Sequence, residues 1–298
     1  MALELLALRG LGLGDMLTAV PALRALRQEF PVHRITVAAP APLEPLLSLT
    51  GAVDELIDVR GPGPVPFERP GGGPDIAVNL HGKGPQSVEA LRRTRPGRLL
   101  SHTVGPPWRD DVHEVRRWCD MLEWYGVKAD PSDLTLGVSD RTGPVVVHPG
   151  AAFPARRWPP ERFAHVASAL ERSVGEVVVT GDAGEAPIAA RVAELAGLPA
   201  GRVLAGRTDL AGLIDVVGRA RLVVCGDTGV GHLATAFCVP SVVLFGPVAP
   251  ARWGPPPGWR HVALWAGRTG DPHGDRVDPG LLKIDVSEVL DAVMEVTS

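Results

Sequence analysis

The stretch VVCGDTGVGHLATA, Val223–Ala236, sets a carboxylate, a hydroxyl and an imidazole on bare backbone where an apolar run turns into a helix. Val230, Leu233, Ala234 and Phe237 form the helix's apolar stripe, and His232 lies off it, in the first turn. Gly229 and Gly231 leave the start of the helix uncovered. Backbone N–H groups near Gly229 and Val230, with the positive end of the helix dipole, suit a phosphate, and Thr228 adds a hydroxyl. Asp227 would repel a phosphate, so it fits sugar hydroxyls or a cap. A capped turn without a ligand is the competing reading.

Other strand ends carry polar residues too. After PVVV come His148, Pro149 and Gly150, then AAFPARRWPP, whose Arg156 and Arg157 can neutralise a pyrophosphate or be a solvated surface pair. Asp182 follows EVVVTG. After the first apolar run come Gly10, Gly12, Gly14 and Asp15. These glycines alternate and do not spell G-x-G-x-x-G, and no acid ends the second strand to hold a ribose, so a nicotinamide reading is weak. Asp15, at a helix start, reads either as an N-cap or as a carboxylate that takes a proton.

The elements that must position these residues alternate. LELLAL is a strand, followed by a helical face of Met16, Ala19, Val20, Leu23 and Leu26 that Pro21 interrupts. RITVAAP, DELIDV, DIAVNLHG and RLLSHTV are strand candidates. Gly61–Pro74 is a loop too polar for the core, and a helix spans His113–Tyr125. A domain boundary is placed near Asp140, giving domains 1–140 and 141–298. In the second half PVVVHPG, EVVVTGD, RVLAG, RLVVCGD and SVVLFGP are strands with helices between them, and a last helix over Val286–Val296 is expected to pack back on the first domain. Continuous apolar strands in strict β-α alternation predict parallel sheets buried on both faces. The fold class is α/β, two tandem Rossmann-like domains, with ligands at the carboxyl ends of the strands and in the cleft that the sheets face.

A chain of 298 residues suits two domains, and a formal net charge of −4 argues against nucleic acid as partner. Cys119, Cys225 and Cys238 sit in apolar runs without C-x-x-C spacing and read as buried thiols in a reducing compartment. The nine histidines show no metal-ligand spacing, so no metal is expected, and G-x-S-x-G is absent. The N-terminus lacks a basic leader and reads as a buried strand, and no run is long enough to span a membrane. Trp108, Trp118, Trp124, Trp253, Trp259 and Trp265 suit a cleft, an interface or, more commonly, the core.

GLGDMLTAVPALRALRQEFP, HPGAAFPARRWPPERFA and CGDTGVGHLATAFCVPSVVLFGP together resemble glycosyltransferase family 9, which includes the ADP-heptose:lipopolysaccharide heptosyltransferases. The resemblance runs over nearly the whole chain. It implies a GT-B-like fold, with the acceptor on the N-terminal domain and a nucleotide-sugar donor on the C-terminal one, and no cofactor or metal. Asp15 matches the family's base. Arg156 stands where the K-x-W-P lysine would, and Asp227, Thr228, Gly229 and His232 match D-T-G-x-x-H. The implied reaction is an inverting displacement. The heptosyltransferase pattern Q-G-x-x-K-S is replaced by NLHGKGPQS, so Asn79, His81, Gly82 and Lys83 would line a different acceptor pocket beside Gly12 and Gly14. The acceptor would be a glycan, lipid-linked or small, met in the cytoplasm or at the inner face of the membrane. A GT-B-like sugar-nucleotide epimerase and a non-catalytic nucleotide-sugar-binding protein are the alternatives.

Overall fold

Leu3–Leu8 turns from half-open to fully buried within three residues, and this strand, β1, is the middle of a five-stranded parallel sheet. We describe residues 3–69, 72–258 and 260–297 in a computed structural model. The other strands of the sheet are β2 (His33–Ala39), β3 (Glu55–Asp58), β4 (Ile76–Asn79) and β5 (Arg98–Leu100), in the order β3-β2-β1-β4-β5. Leu5 pairs with Ile76 and Leu8 with Asn79, so β1 and β4 end side by side where the strand order reverses. The helices are α1 (Leu13–Thr18), α2 (Val20–Glu29), α3 (Glu44–Thr50), α4 (Gln86–Arg93) and α5 (Glu114–Trp124). Pro21 stands at the second position of α2, where a missing N–H costs nothing, and so separates α1 from α2.

A second five-stranded parallel sheet holds β6 (Val145–His148), β7 (Val177–Val179), β8 (Leu222–Gly226), β9 (Ser241–Phe245) and β10 (His261–Trp265), in the order β10-β9-β8-β6-β7. Here the order reverses between β6 and β8, with His148 opposite Cys225 at their ends. Its helices are α6 (Pro160–Ser173), α7 (Ala186–Ala196), α8 (Leu210–Arg219), α9 (Gly229–Ala236), α10 (Pro250–Trp253) and α11 (Val286–Thr297). Trp158 and Phe163, stacked edge to face at 5.0 Å, sit in a core with Val147, Val224, Leu244 and Val293. The last helix, α11, packs on α6 and β9, within its own sheet's layers.

The chain divides into two compact units, Met1–Leu134 and Thr135–Ser298. Two local expectations are corrected, and one strand was not foreseen. RVLAG is no strand: after the 3-10 turn Ala200–Arg202, Val203 makes a single bridge to Val179, and Gly206 at φ 71° turns the chain away. The loop after β3 is not excluded from the core, because Val65 and Phe67 pack on Leu6, Leu8 and Leu91. An additional edge strand, β10, pairs in parallel with β9; its half-buried face hides it from a search for continuous apolar runs. Trp118 and Trp158 are core residues, Trp124 is exposed, and Trp259 lies outside the described residues.

Candidate functional site

At the reversal point of the second sheet, β8 ends in Gly226 and α9 begins at Gly229, so Asp227 and Thr228 form the corner. Asp227 is held by its own N–H, which donates to Leu244 O at 3.1 Å. Its carboxyl is buried, which raises its pKa to about 6; Arg156 opposes the rise. A carboxyl poised there both donates to and accepts from hydroxyls near neutral pH. Thr228 is the N-cap residue of α9, yet its side chain caps none of the helix N–H groups. His232 stands one turn in, its ring edge-on to Trp253 at 6.1 Å, and the two line a small pocket with Asp227, Thr228 and Phe245.

Arg156 ends the 3-10 turn Pro154–Arg156, between β6 and α6. Its Nη1 donates to Asp227 O at 3.4 Å, while Nε is buried without a partner. The turn is pinned from the C-terminal loop: Ala155 N donates to Gly274 O at 3.2 Å, and Asp278 N donates to Ala155 O at 3.1 Å. The structure thus brings Arg156, Asp227, Thr228 and His232 to one corner. Arg157 is placed apart, its Nε donating to Ala151 O at 2.9 Å. Gly150 is needed by Glu185, whose carboxyl carbon would lie 2.1 Å from a Cβ there. Glu185 closes a reciprocal pair with Asp182 at the start of α7: Asp182 N donates to Glu185 Oε2 at 3.0 Å and Glu185 N to Asp182 Oδ1 at 2.9 Å. Gly231 serves packing, since its Cβ would touch Cys225 Sγ and Val243 at 3.3 Å.

In the first unit the N-cap of α1 is Gly12, and Asp15 is the third helical residue. Its carboxylate accepts from Gly12 N–H. Burial raises its pKa; Arg9 pulls it down and Glu114 pushes it up. Arg9, which follows β1, is entirely buried. It donates from Nε to Asp15 O at 3.0 Å, from Nη1 to Leu80 O, and from Nη2 to Thr18 Oγ1 at 3.1 Å and Glu114 Oε1 at 3.1 Å. Arg9 therefore ties the Asp15 turn to the end of β4. There Asn79 spends its amide on the loop itself: Oδ1 accepts from His81 N at 3.1 Å, and Nδ2 donates to Gly82 O at 2.8 Å and Ser87 Oγ at 3.1 Å. Asn79 shapes the loop, which presents His81, whose Nδ1 is unpartnered, and the exposed Lys83. Gly12 is exposed and Gly14 half-buried on the same turn.

The sequence reading missed Arg9, Glu114 and Glu185. A charged residue directly after an apolar strand, and an acid four residues before Trp118 on one helix, were the available signals. Among the described residues, no group of three or more His, Cys, Asp or Glu converges to hold a metal ion, and no helix is long and apolar enough to cross a membrane.

Residues 120–279 match the family model described as glycosyltransferase family 9 (heptosyltransferase). The chain is 27% identical over 286 residues to lipopolysaccharide heptosyltransferase 2 of Escherichia coli, covering 80% of this chain and 81% of that protein. The fold is similar to the crystal structure of a glycosyl transferase family 9 protein from Veillonella parvula (TM-score 0.79, 22% identity, 100% and 98% of the two chains). It is also similar to the structure of E. coli ADP-heptose lps heptosyltransferase II (TM-score 0.75, 21% identity, 99% and 98%).

Proposed function

The chain belongs to glycosyltransferase family 9, and from that premise we propose that it transfers a sugar, with heptose the family's choice, from a nucleoside-diphosphate donor to a hydroxyl of an acceptor glycan. The observation that carries this reading is the corner where the Arg156 guanidinium meets Asp227 beside the start of α9. It joins a cation, a helix start that no side chain caps and a buried carboxyl in one place.

The reaction is an inverting displacement. Asp15 accepts the proton of the acceptor hydroxyl as its oxygen forms a bond to the anomeric carbon. The bond from that carbon to the diphosphate breaks, and its electron pair leaves with the nucleotide. Arg156, Thr228 and the N–H groups of Gly229 and Val230 stabilise the charge that grows there, which lets the reaction proceed without a metal ion. Arginine in place of a lysine offers a planar fork to the phosphates. Asp227 and His232 orient the donor sugar. The first unit binds the acceptor through Gly12 and Gly14 at the start of α1 and through His81 and Lys83 on the loop that Asn79 holds, and the second binds the donor, with Gly150 and Arg157 shaping its loop. The relatives' printed names support an ADP-linked heptose as donor and a lipopolysaccharide-type acceptor.

Incubation with a panel of sugar nucleotides, ADP-heptose among them, followed by mass spectrometry tests the reading. Transfer or slow donor hydrolysis supports it. Formation of an isomeric sugar nucleotide makes the protein an epimerase, and binding without change makes it a sensor.

A further inference from the structure

A guanidinium with no exposure to water is costly, so the partners of Arg9 define its purpose. Its Nη2 stands between two carboxylates, 3.1 Å from Glu114 Oε1 and 3.6 Å from Asp15 Oδ1. Glu114 is held from three sides. Besides Arg9, Arg117 Nε donates to Oε2 at 3.0 Å and Trp118 Nε1 to Oε1 at 2.9 Å. Arg9 itself lies over the Trp118 ring at 4.8 Å, and Arg117 over Trp108 at 4.0 Å. Glu114 is therefore held at both carboxylate oxygens and its side chain is only 10% exposed, whereas that of Asp15 is 31% exposed and open to a substrate.

We infer that Glu114 is a positioning residue for the transfer reaction: by engaging Arg9 it keeps that guanidinium from closing on Asp15 and so leaves Asp15 able to accept a proton. The inference rests on Asp15 as the base. Two guanidinium groups, Arg9 and Arg117, and two carboxylates, Glu114 and Asp15, balance when Asp15 is ionised. Without Glu114, Arg9 carries an uncompensated buried charge, and the nearest carboxylate is Asp15. A direct arginine pair would depress the proton affinity of Asp15 and turn a base into a spectator ion.

The remaining groups near this cluster do not reverse the argument. Gly12 N–H touches Asp15 from its own helix. His81, after β4, has its pKa lowered by burial and by Arg9. His102, after β5, has its pKa lowered by burial, against the Pro106 carbonyl and the Glu114 charge. In both imidazoles burial disfavours the charged form.

The test is a carbon-13 NMR titration of the residue-15 carboxyl in the full chain, assigned by its loss in Asp15→Asn. Glu114→Gln is expected to lower its midpoint by about one pH unit or more. It should move the acid limb of the pH–rate profile for ADP-heptose turnover in the same direction. A midpoint unmoved or raised overturns the inference. Should Glu114→Gln fail to fold by circular dichroism, Glu114→Asp keeps the charge but draws it back by one methylene. A smaller downward shift is then expected, and no shift overturns the inference. Failure of the base reading shows separately, as undiminished transfer by Asp15→Asn, because the titration needs no turnover.

Discussion

Arg156 donates from Nη1 to the main-chain carbonyl of Asp227 at 3.4 Å, across 71 residues of chain. The bond sets a cation beside a strand-to-helix corner while leaving the Asp227 carboxyl for other partners. Gly226 lets the Arg156 backbone approach, since a Cβ there would lie 3.1 Å from Arg156 O. A diphosphate at this corner would meet a guanidinium already aimed by the fold, so little side-chain entropy is lost on binding.

Arg156→Ala should weaken ADP binding by about 10- to 100-fold, the scale of a lost charge-assisted hydrogen bond. Arg157→Ala, whose Nε is engaged with Ala151 O, should cost less. Isothermal calorimetry on both variants decides. Equal losses would remove the distinction drawn between the two arginines.

Asp15→Asn should reduce turnover by about 10²–10⁴-fold and leave nucleotide affinity unchanged. Asparagine still accepts from Gly12 N–H, so the start of α1 is kept. Initial rates and ADP titration separate the two effects. Parallel loss of rate and affinity would make Asp15 a structural residue.

The buried Asp227 titrates at about 6 instead of its ordinary 3.8, so it is more easily protonated in the folded chain than in the unfolded one. Stability therefore falls as pH rises through that window, and the loss is complete above it. Asp227→Asn removes the ionisation and should stabilise the protein by about 1–3 kcal/mol at pH 8, with little gain at or below pH 4. Tm measured at both pH values checks this. A gain of the same size at each would show that burial of the charge is not its source.

Asp278 straps the turn that carries Arg156. Its Oδ1 accepts from Gly280 N at 2.7 Å and Leu281 N at 3.2 Å, while its N–H holds Ala155 O. Asp278→Ala should cost about 1–3 kcal/mol of stability, speed hydrogen exchange at the Ala155 amide and weaken ADP binding less than Arg156→Ala. Unaltered exchange at Ala155 would show that the strap does not order the turn.

By itself the sequence determined the alternation of apolar strands and helices, and hence the two parallel α/β sheets. It also determined the motifs that place Arg156, Asp227, Thr228 and His232 just after strands. These signals are local: periodicity, glycine and proline punctuation, and the residue types at a strand's end all lie within one stretch of chain. Tertiary structure decided what those residues touch. Glu114 reaches Arg9 from 105 residues away, and Glu185 claims the space over Gly150. Asn79 spends its amide on its own loop, and Val65 and Phe67 turn a polar loop toward the core. No spacing in one dimension specifies such meetings, because they depend on which strands become neighbours. In this protein the order β3-β2-β1-β4-β5 brings the ends of β1 and β4 together, and that juxtaposition buries Arg9 beside Asp15.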